Sequence, residues 1–191
     1  MRYASFVTVL ALGCLALVLP LGCNKSIGDP SDAENQVTVA SVDPNMVCAD
    51  IDGTIQQGSG GGNTVVFYDA KNKLTFESRV RGNADITSNV WSDVIFTSVD
   101  ITYQMNDGGP APAPWFDRPA PAITVKANST TTVDMITVPV ADIGPGAPLD
   151  TAGRLGVVTM VFHGKDAANQ PATASVKIPL GTYNACQASG S

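Results

Sequence analysis

Side chains that could carry out acid–base or nucleophilic chemistry are few in this sequence. His163 is the only histidine, and Glu34 and Glu77 are the only glutamates. A Ser–His–Asp triad would have to use His163, yet no serine occupies the Gly-x-Ser-x-Gly turn that presents a nucleophile. The segment Gln57–Gly61 lacks the first glycine of that turn, and it also lacks the lysine of a phosphate-binding loop. We therefore predict that the protein is not an enzyme and binds no cofactor, and that His163 is a polar residue at a strand end.

A second chemical possibility is calcium, because Asp50 and Asp52 stand just ahead of a glycine. Ca²⁺ takes about six to eight oxygen ligands. When the segment is aligned with an EF-hand loop, Cys48 falls at the first aspartate and Ser59 at the closing glutamate, so that motif is excluded. A looser site using Asp43, Asp50 or Asp52 is the alternative to a solvated turn. We predict the turn and no metal.

The amino-terminal residues contain the most specific pattern in the chain. An apolar run begins about Phe6, follows a single basic residue, Arg2, and ends in Leu21-Gly22-Cys23. A basic start, an apolar middle and a small residue before the cut are typical of a secretory signal peptide. With a cysteine after the cut, the segment resembles the lipobox of bacterial lipoproteins, although Pro20 stands where leucine is usual. The resemblance implies that residues 1–22 are removed and that the Cys23 sulfur carries a diacylglyceryl group.

The same resemblance gives a location and an anchor. The new amine of Cys23 would also be acylated, and two or more fatty chains hold a protein stably on a bilayer. Because Asn24 is not aspartate, lipoprotein sorting in two-membrane bacteria implies the outer membrane of the cell envelope. The alternatives are an ordinary signal peptide cut nearby or an uncleaved anchor. The apolar run is shorter than the roughly 20 residues that a spanning helix requires.

Composition narrows the possible partners of the exported part. The formal net charge is −6, and the Lys and Arg residues are scattered rather than clustered. Nucleic-acid binding usually requires a basic face, so we predict no nucleic-acid partner. Residues 23–35 are polar and turn-rich after the cysteine, which predicts a flexible tether. The membrane, reached through the lipid, and a protein or glycan of the envelope are the expected partners.

Two cysteines, Cys48 and Cys186, remain once Cys14 is removed with the signal and Cys23 is lipidated. Exported proteins fold in an oxidising compartment, where an even remainder of cysteines indicates a disulfide. We predict a Cys48–Cys186 bond, with two unpaired buried thiols as the alternative.

From Gln36 onward, apolar and polar residues alternate with a period of two, and Val and Thr predominate. Both features are typical of β-strands, and no long window has helical periodicity. The predicted strands are, in chain order, Gln36–Val42, Thr64–Tyr68, Leu74–Val80, Asp93–Met105, Ile123–Lys126, Thr131–Val140, Leu155–His163 and Thr173–Leu180. The pattern predicts an all-β domain over residues 36–191, a single antiparallel β-sandwich of about seven or eight strands. A closed barrel is the alternative.

The clearest of these strands is Asp93–Met105, and its alternation predicts which side chains share a face. The set is Ile95, Thr97, Val99, Ile101, Tyr103 and Met105. We expect Ile101 to lie in the sandwich core.

Residues 93–180 also resemble, as a whole, the single immunoglobulin-like or fibronectin-III-like domain of small bacterial lipoproteins. The segments that carry the resemblance are SDVIFTSVDITYQMNDGG, NSTTTVDMITVPV and VTMVFHGKDAANQPATASVKIPL. It implies an immunoglobulin-like sandwich, and it brings no catalytic residues.

The segment Gly108–Pro121 (GGPAPAPWFDRPAP) is predicted to be a stiff, extended loop, because proline restricts its backbone. Exposed Trp115 and Phe116 beside Arg118 have the composition of an interface anchor. The alternative is that both aromatic side chains fold back and plug an end of the sandwich. We expect a membrane-anchored, non-catalytic interaction module with these three residues as contact candidates. An accessory subunit of an envelope complex is the alternative, and an unrecognised hydrolase is less favoured.

Overall fold

The computed structural model describes residues 35–57, 62–80, 93–184 and 186. Cys23, the predicted signal peptide and the predicted tether lie outside these residues, apart from Asn35. The described part is all-β, as predicted. Its strands are β1 (Asn35–Asp43), β2 (Val47–Asp50), β3 (Thr54–Gln57), β4 (Asn63–Val66), β5 (Ala70–Val80), β6 (Val94–Met105), β7 (Trp115–Val125), β8 (Thr130–Val138), β9 (Leu155–Asp166) and β10 (Pro171–Tyr183). One short 3₁₀ turn, Val140–Asp142, follows β8.

The strands form two main sheets and a separate hairpin. One sheet has the order β1-β5-β8, and the other has the order β2-β10-β9-β6-β7. The apolar core lies between the inner faces of these sheets, which gives the all-β sandwich predicted from the sequence. Strands β3 and β4 pair only with each other among the described strands. β2 and β3 were not predicted from the sequence, so the strand number exceeds the predicted seven or eight.

The first strand region crosses from one sheet to the other. β1 pairs with β5 in the smaller sheet, and after Pro44 the chain enters β2, which pairs with β10 in the larger sheet. The β2–β10 pairing is parallel, so the prediction of a purely antiparallel sandwich is wrong at this one place. Next to it, Cys48 and Cys186 form the predicted disulfide, with their Cα atoms 5.8 Å apart.

The centre of the core is a cluster of three phenylalanine rings from three strands. Phe76 lies 5.6 Å from Phe96 and 5.0 Å from Phe162 between ring centroids, and the second pair is edge-to-face. All three side chains are fully buried. Because Phe76 belongs to the smaller sheet and the other two to the larger, this cluster holds the sheets together.

Strand β6 departs from its predicted alternation. Its pairing with both β7 and β9 shifts register between Phe96 and Ser98, which indicates a β-bulge. A bulge inserts one residue and reverses which side chains face inward. Phe96 is therefore buried before the bulge and Ile101 after it, whereas Ile95 is 45% exposed. The prediction that Ile95 and Thr97 share a face with Ile101 is wrong for this reason.

A buried polar network joins the two sheets near the β1–β2 crossover. The Asn72 side-chain amide donates hydrogen bonds to the Pro44 carbonyl at 2.7 Å and to the Met46 carbonyl at 3.3 Å. The Thr137 hydroxyl lies 2.8 Å from Asn72 Oδ1, and the Tyr103 hydroxyl donates to the Thr137 carbonyl at 2.8 Å. Asn72 and Thr137 are fully enclosed. Burial also raises the pKa of Tyr103, which keeps its hydroxyl a donor.

Candidate functional site

The segment predicted to be a proline-stiffened loop is partly an edge strand. β7 begins at Trp115 and lies at the outer edge of the five-stranded sheet, so residues 115–121 are strand rather than loop. Pro119 and Pro121 fall within it, and proline is tolerated in sheets chiefly on edge strands. The loop prediction is correct only for residues 108–114.

The structure brings Trp115, Phe116 and Arg118 together at the start of β7, and we call these three residues the β7 patch. The Arg118 guanidinium carbon lies 3.9 Å from the Trp115 ring centroid, which is a cation–π stack. Trp115 is half-buried and packs against the core, whereas Phe116 is 68% exposed. The two alternatives drawn from the sequence were an exposed aromatic pair and a pair folded back onto the sandwich. The structure has one residue of each kind, because Trp115 packs inward and Phe116 does not.

A bulge in β7 determines how the patch is presented. The β6–β7 register shifts between Val99 and Ile101, so Asp117 belongs to an irregular stretch. Asp117 has a φ of 50°, in the left-handed region that non-glycine residues rarely occupy. Its amide donates a 2.7 Å hydrogen bond to Asp100 Oδ1. This hydrogen bond compensates for the backbone strain beside Phe116.

Asp100 is in turn paired with the only histidine. His163 Nε2 lies 2.9 Å from Asp100 Oδ2, and both side chains are partly exposed on the outer face of the five-stranded sheet. The pKa of Asp100 is below its ordinary value, first because its carboxylate accepts the Asp117 amide and then because it bonds His163. No local motif marks this pair, since the two residues lie on β6 and β9. Only the pairing of those strands brings them together.

The His163–Asp100 pair lacks the other members of a hydrolytic site in the described part of the chain. Ser98 is the cross-strand partner of His163, but no hydrogen bond joins its hydroxyl to the imidazole. A nucleophile needs such a bond to be activated. What the arrangement does is connect β9, β6 and the β7 bulge through one carboxylate.

Beside this pair lies an open groove of 390 Å³ on the sheet surface. Its lining residues are Ile95, Thr97, His163, Gly164, Lys165 and Asp166. Asp166 is buried, and its Oδ2 accepts no hydrogen bond from any described residue. Its Oδ1 accepts a 2.8 Å hydrogen bond from the backbone amide of Gln170, so this side chain stabilises the β9–β10 turn.

Asp50, one of the acidic residues considered for calcium, uses its carboxylate in a turn. Asp50 Oδ1 accepts the amides of Asp52 at 3.2 Å and Gly53 at 3.1 Å, so this carboxylate stabilises its own loop. Within the described ranges, no group of three or more His, Cys, Asp or Glu side chains could share a metal ion.

Loops at the end of the sandwich where β6 stops are held by Arg154. Its guanidinium donates to Asp107 at 2.7 Å and 3.1 Å, to the Pro110 carbonyl at 2.7 Å and to the Pro148 carbonyl at 2.8 Å. The hydrogen bonds from Arg154 to the Asp107 carboxylate, and then the one from the Gly109 backbone amide, lower the pKa of Asp107 to about 2. The side chain of Arg154 is only 10% exposed, so it fixes the start of the segment that leads to β7 and is not a free contact residue.

No helix in the described residues has the length and apolar character needed to cross a bilayer. Comparison with models of known protein families finds none that matches the chain, and no curated protein is similar in sequence.

Proposed function

We propose that the protein is a lipid-anchored envelope lipoprotein, held through Cys23, whose sandwich is a non-catalytic module that binds a protein or glycan through the β7 patch. The main support for the proposal is the exposure of Phe116, which is 68% exposed although its side chain is large and apolar. It stands beside an arginine that is stacked on a half-buried tryptophan. Aromatic residues and arginine are the types that contribute most binding energy in interfaces.

The β7 patch is suited to binding because its parts are already held in place. Arg118 is fixed by its stack on Trp115, and among the described residues its guanidinium makes no ion pair and donates no hydrogen bond. Its N–H groups can therefore bind acceptor oxygens of a partner without breaking an internal contact. Pre-organisation of this kind lowers the entropy cost of binding.

The test is to change the exposed half of the patch and to leave the half that packs. We expect Phe116→Ser combined with Arg118→Gln to abolish recovery of the partner from detergent-solubilised envelopes. The melting temperature should stay nearly unchanged, since Phe116 is mostly exposed. Leu155→Ser is the matched control, because Leu155 is 52% exposed at the start of β9, outside the patch. Equal partner recovery by the patch variant and the control would refute the assignment.

The anchor is tested separately. Cells given a labelled fatty acid such as palmitate should label the wild-type protein and not Cys23→Ser, and fractionation should place the labelled protein in the outer membrane. Labelling of both proteins would remove the anchor from the proposal and leave the binding surface unaffected.

The non-catalytic part of the proposal rests on how the His163–Asp100 pair is used. Asp100 is occupied by the Asp117 amide and by His163, and no activated nucleophile adjoins the imidazole in the described residues. Purified protein should therefore release no product from envelope polymers such as peptidoglycan. Hydrolysis that is lost in His163→Ala would overturn this part.

A further inference from the structure

We propose that two copies of this chain associate through the β3–β4 hairpin, by pairing their β3 strands. The hairpin is formed by Thr54–Gln57 and Asn63–Val66. No other described strand pairs with it, so among the described residues the outer edges of β3 and β4 have no strand partner. A two-stranded hairpin with open edges is marginally stable in water and presents unpaired N–H and C=O groups to another chain.

Three of the seven large apolar side chains that are exposed in the described residues lie on this hairpin or just after it. Ile55 is 64% exposed and its cross-strand partner Val65 is 50% exposed, so they form an apolar pair on one face. Tyr68, just after the hairpin, is 54% exposed. A contiguous exposed apolar patch marks an interaction surface more often than isolated apolar residues do.

The hairpin is nevertheless firmly held at its base. Gly53 has a φ of 67°, and a Cβ added there would lie 2.8 Å from the Val66 carbonyl oxygen, so the two strands leave the sandwich in close contact. The side-chain amide of Gln56 donates a 2.6 Å hydrogen bond to the Tyr68 hydroxyl. Phe67 packs against the core and against the backbone of Gly144. The apolar pair is thus presented on a fixed support.

The distribution of charged residues favours a second copy of the chain as the partner of this hairpin. The chain has a formal net charge of −6, which makes most faces of two copies repel each other. Residues 54–68 contain no Asp, Glu, Lys or Arg. This stretch can therefore approach its own copy without like-charge repulsion. An uncharged partner edge suits it better than a charged peptide, which would leave its charges unpaired against the hairpin.

The geometry of antiparallel pairing selects one register. A two-fold axis perpendicular to the joined sheet pairs residues of the same face, and an axis at Ile55 places Ile55 opposite its copy. Thr54 then lies opposite Gln56 of the second copy. Ile55 and Val65 of both copies come together on one face of a four-stranded sheet, where the two Ile55 side chains contact and partly cover each other. Two four-residue strands make a small interface, so the association is weak and concentration-dependent.

The first test is oligomeric state. Sedimentation of the full chain over a concentration series should show a monomer–dimer equilibrium. Ile55→Lys should raise the dimer dissociation constant by about tenfold or more, because it removes the contact between the two Ile55 side chains and places two ammonium groups opposite each other. Leu155→Lys, at a similarly exposed apolar residue, should leave the equilibrium unchanged. A wild-type chain that stays monomeric at all concentrations, or a dimer insensitive to Ile55→Lys, overturns the proposal.

The second test traps the pair covalently, so it detects an association that is too weak to dominate at equilibrium. Under mild oxidation the Ile55→Cys chain should form an intermolecular disulfide in membranes of producing cells, since directly opposite residues have Cβ atoms about 5 Å apart. Gln57→Cys is the matched control on the same face of β3. In the proposed register it lies about 13 Å from its copy and should not crosslink. Equal crosslinking of the two variants, or none for Ile55→Cys, refutes the pairing.

Discussion

The buried network around Asn72 provides the most direct test of how the two sheets are joined. Asn72→Ala removes the amide that bonds the Pro44 and Met46 carbonyls, which lie in the crossover between β1 and β2. It also removes the Oδ1 acceptor of Thr137. The residue is 1% exposed, so water cannot replace these partners without entering the core.

The magnitude follows from counting the groups that lose partners. Each net hydrogen bond contributes roughly 0.5–1.5 kcal/mol, and a buried group left without a partner costs about 1–3 kcal/mol. Thr137 retains its 3.0 Å contact with the Ala70 carbonyl, so its hydroxyl still has an acceptor. The Pro44 carbonyl, whose bond is the shorter of the two, bears most of the loss. We expect Asn72→Ala to lower the free energy of unfolding by about 2–4 kcal/mol.

The measurement is urea unfolding of residues 24–191, followed by tryptophan fluorescence with the disulfide intact. Asn106→Ala, at an exposed asparagine in the turn after β6, is the control and should change the free energy by less than about 0.5 kcal/mol. In a double-mutant cycle, Asn72→Ala and Thr137→Val should be coupled by about 1 kcal/mol. A loss below about 1 kcal/mol for Asn72→Ala would show that the network does not hold the crossover and would refute this reasoning.

Three further results are expected. Ile101→Asp places a carboxylate at a fully buried position and should lower the free energy of unfolding by more than about 3 kcal/mol. The control Ile55→Asp, at an exposed residue, should change it by less than about 0.5 kcal/mol. Equal urea midpoints for the two variants would contradict the assignment of Ile101 to the core. Replacing Cys48 and Cys186 by serine opens a loop of 138 residues and should cost about 4–5 kcal/mol, and a reductant should then destabilise the wild type alone. The neighbouring Arg154 guanidinium lowers the pKa of Asp107 to about 2. The ionised Asp107 carboxylate therefore stabilises the fold at pH values above the ordinary aspartate pKa, and this contribution is lost as the pH falls from about 4 to about 2. The stability difference between wild type and Asp107→Asn should therefore shrink across that window, and a difference that grows on acidification would contradict the linkage.

The strands with unbroken alternation were predictable from sequence, and the irregular ones were not. In β5 the period of two predicted from the sequence holds, since the alternate residues Leu74, Phe76 and Ser78 are all buried. In β6 the predicted inward face is correct at Val99 and Ile101 and wrong at Ile95 and Thr97, because a bulge between them depends on how the neighbouring strands pair. β2 was missed because its four residues are too few to show a period.

The candidate site was only partly visible from sequence for a related reason. The β7 patch could be named because its residues are adjacent in the chain and have the composition of an interface. The hydrogen bonds that shape it come from Asp100 and His163, which strand pairing brings to the β7 bulge. A side chain that supports a neighbour across a sheet has no sequence motif. The disulfide was predictable because counting cysteines requires no knowledge of distance.

The Cys48–Cys186 bond also determines how the domain responds to mechanical load. A pulling force applied between the residues ahead of Asn35 and the carboxyl-terminal end passes through Cys48 and then directly to Cys186. Everything between those two cysteines, including the phenylalanine cluster and the β7 patch, is outside the force path. Only the segment from Asn35 to Cys48 can be peeled off, and it spans at most about 45 Å when fully extended. The sandwich can therefore lose β1 under tension while the rest of the molecule keeps its shape and its binding surfaces.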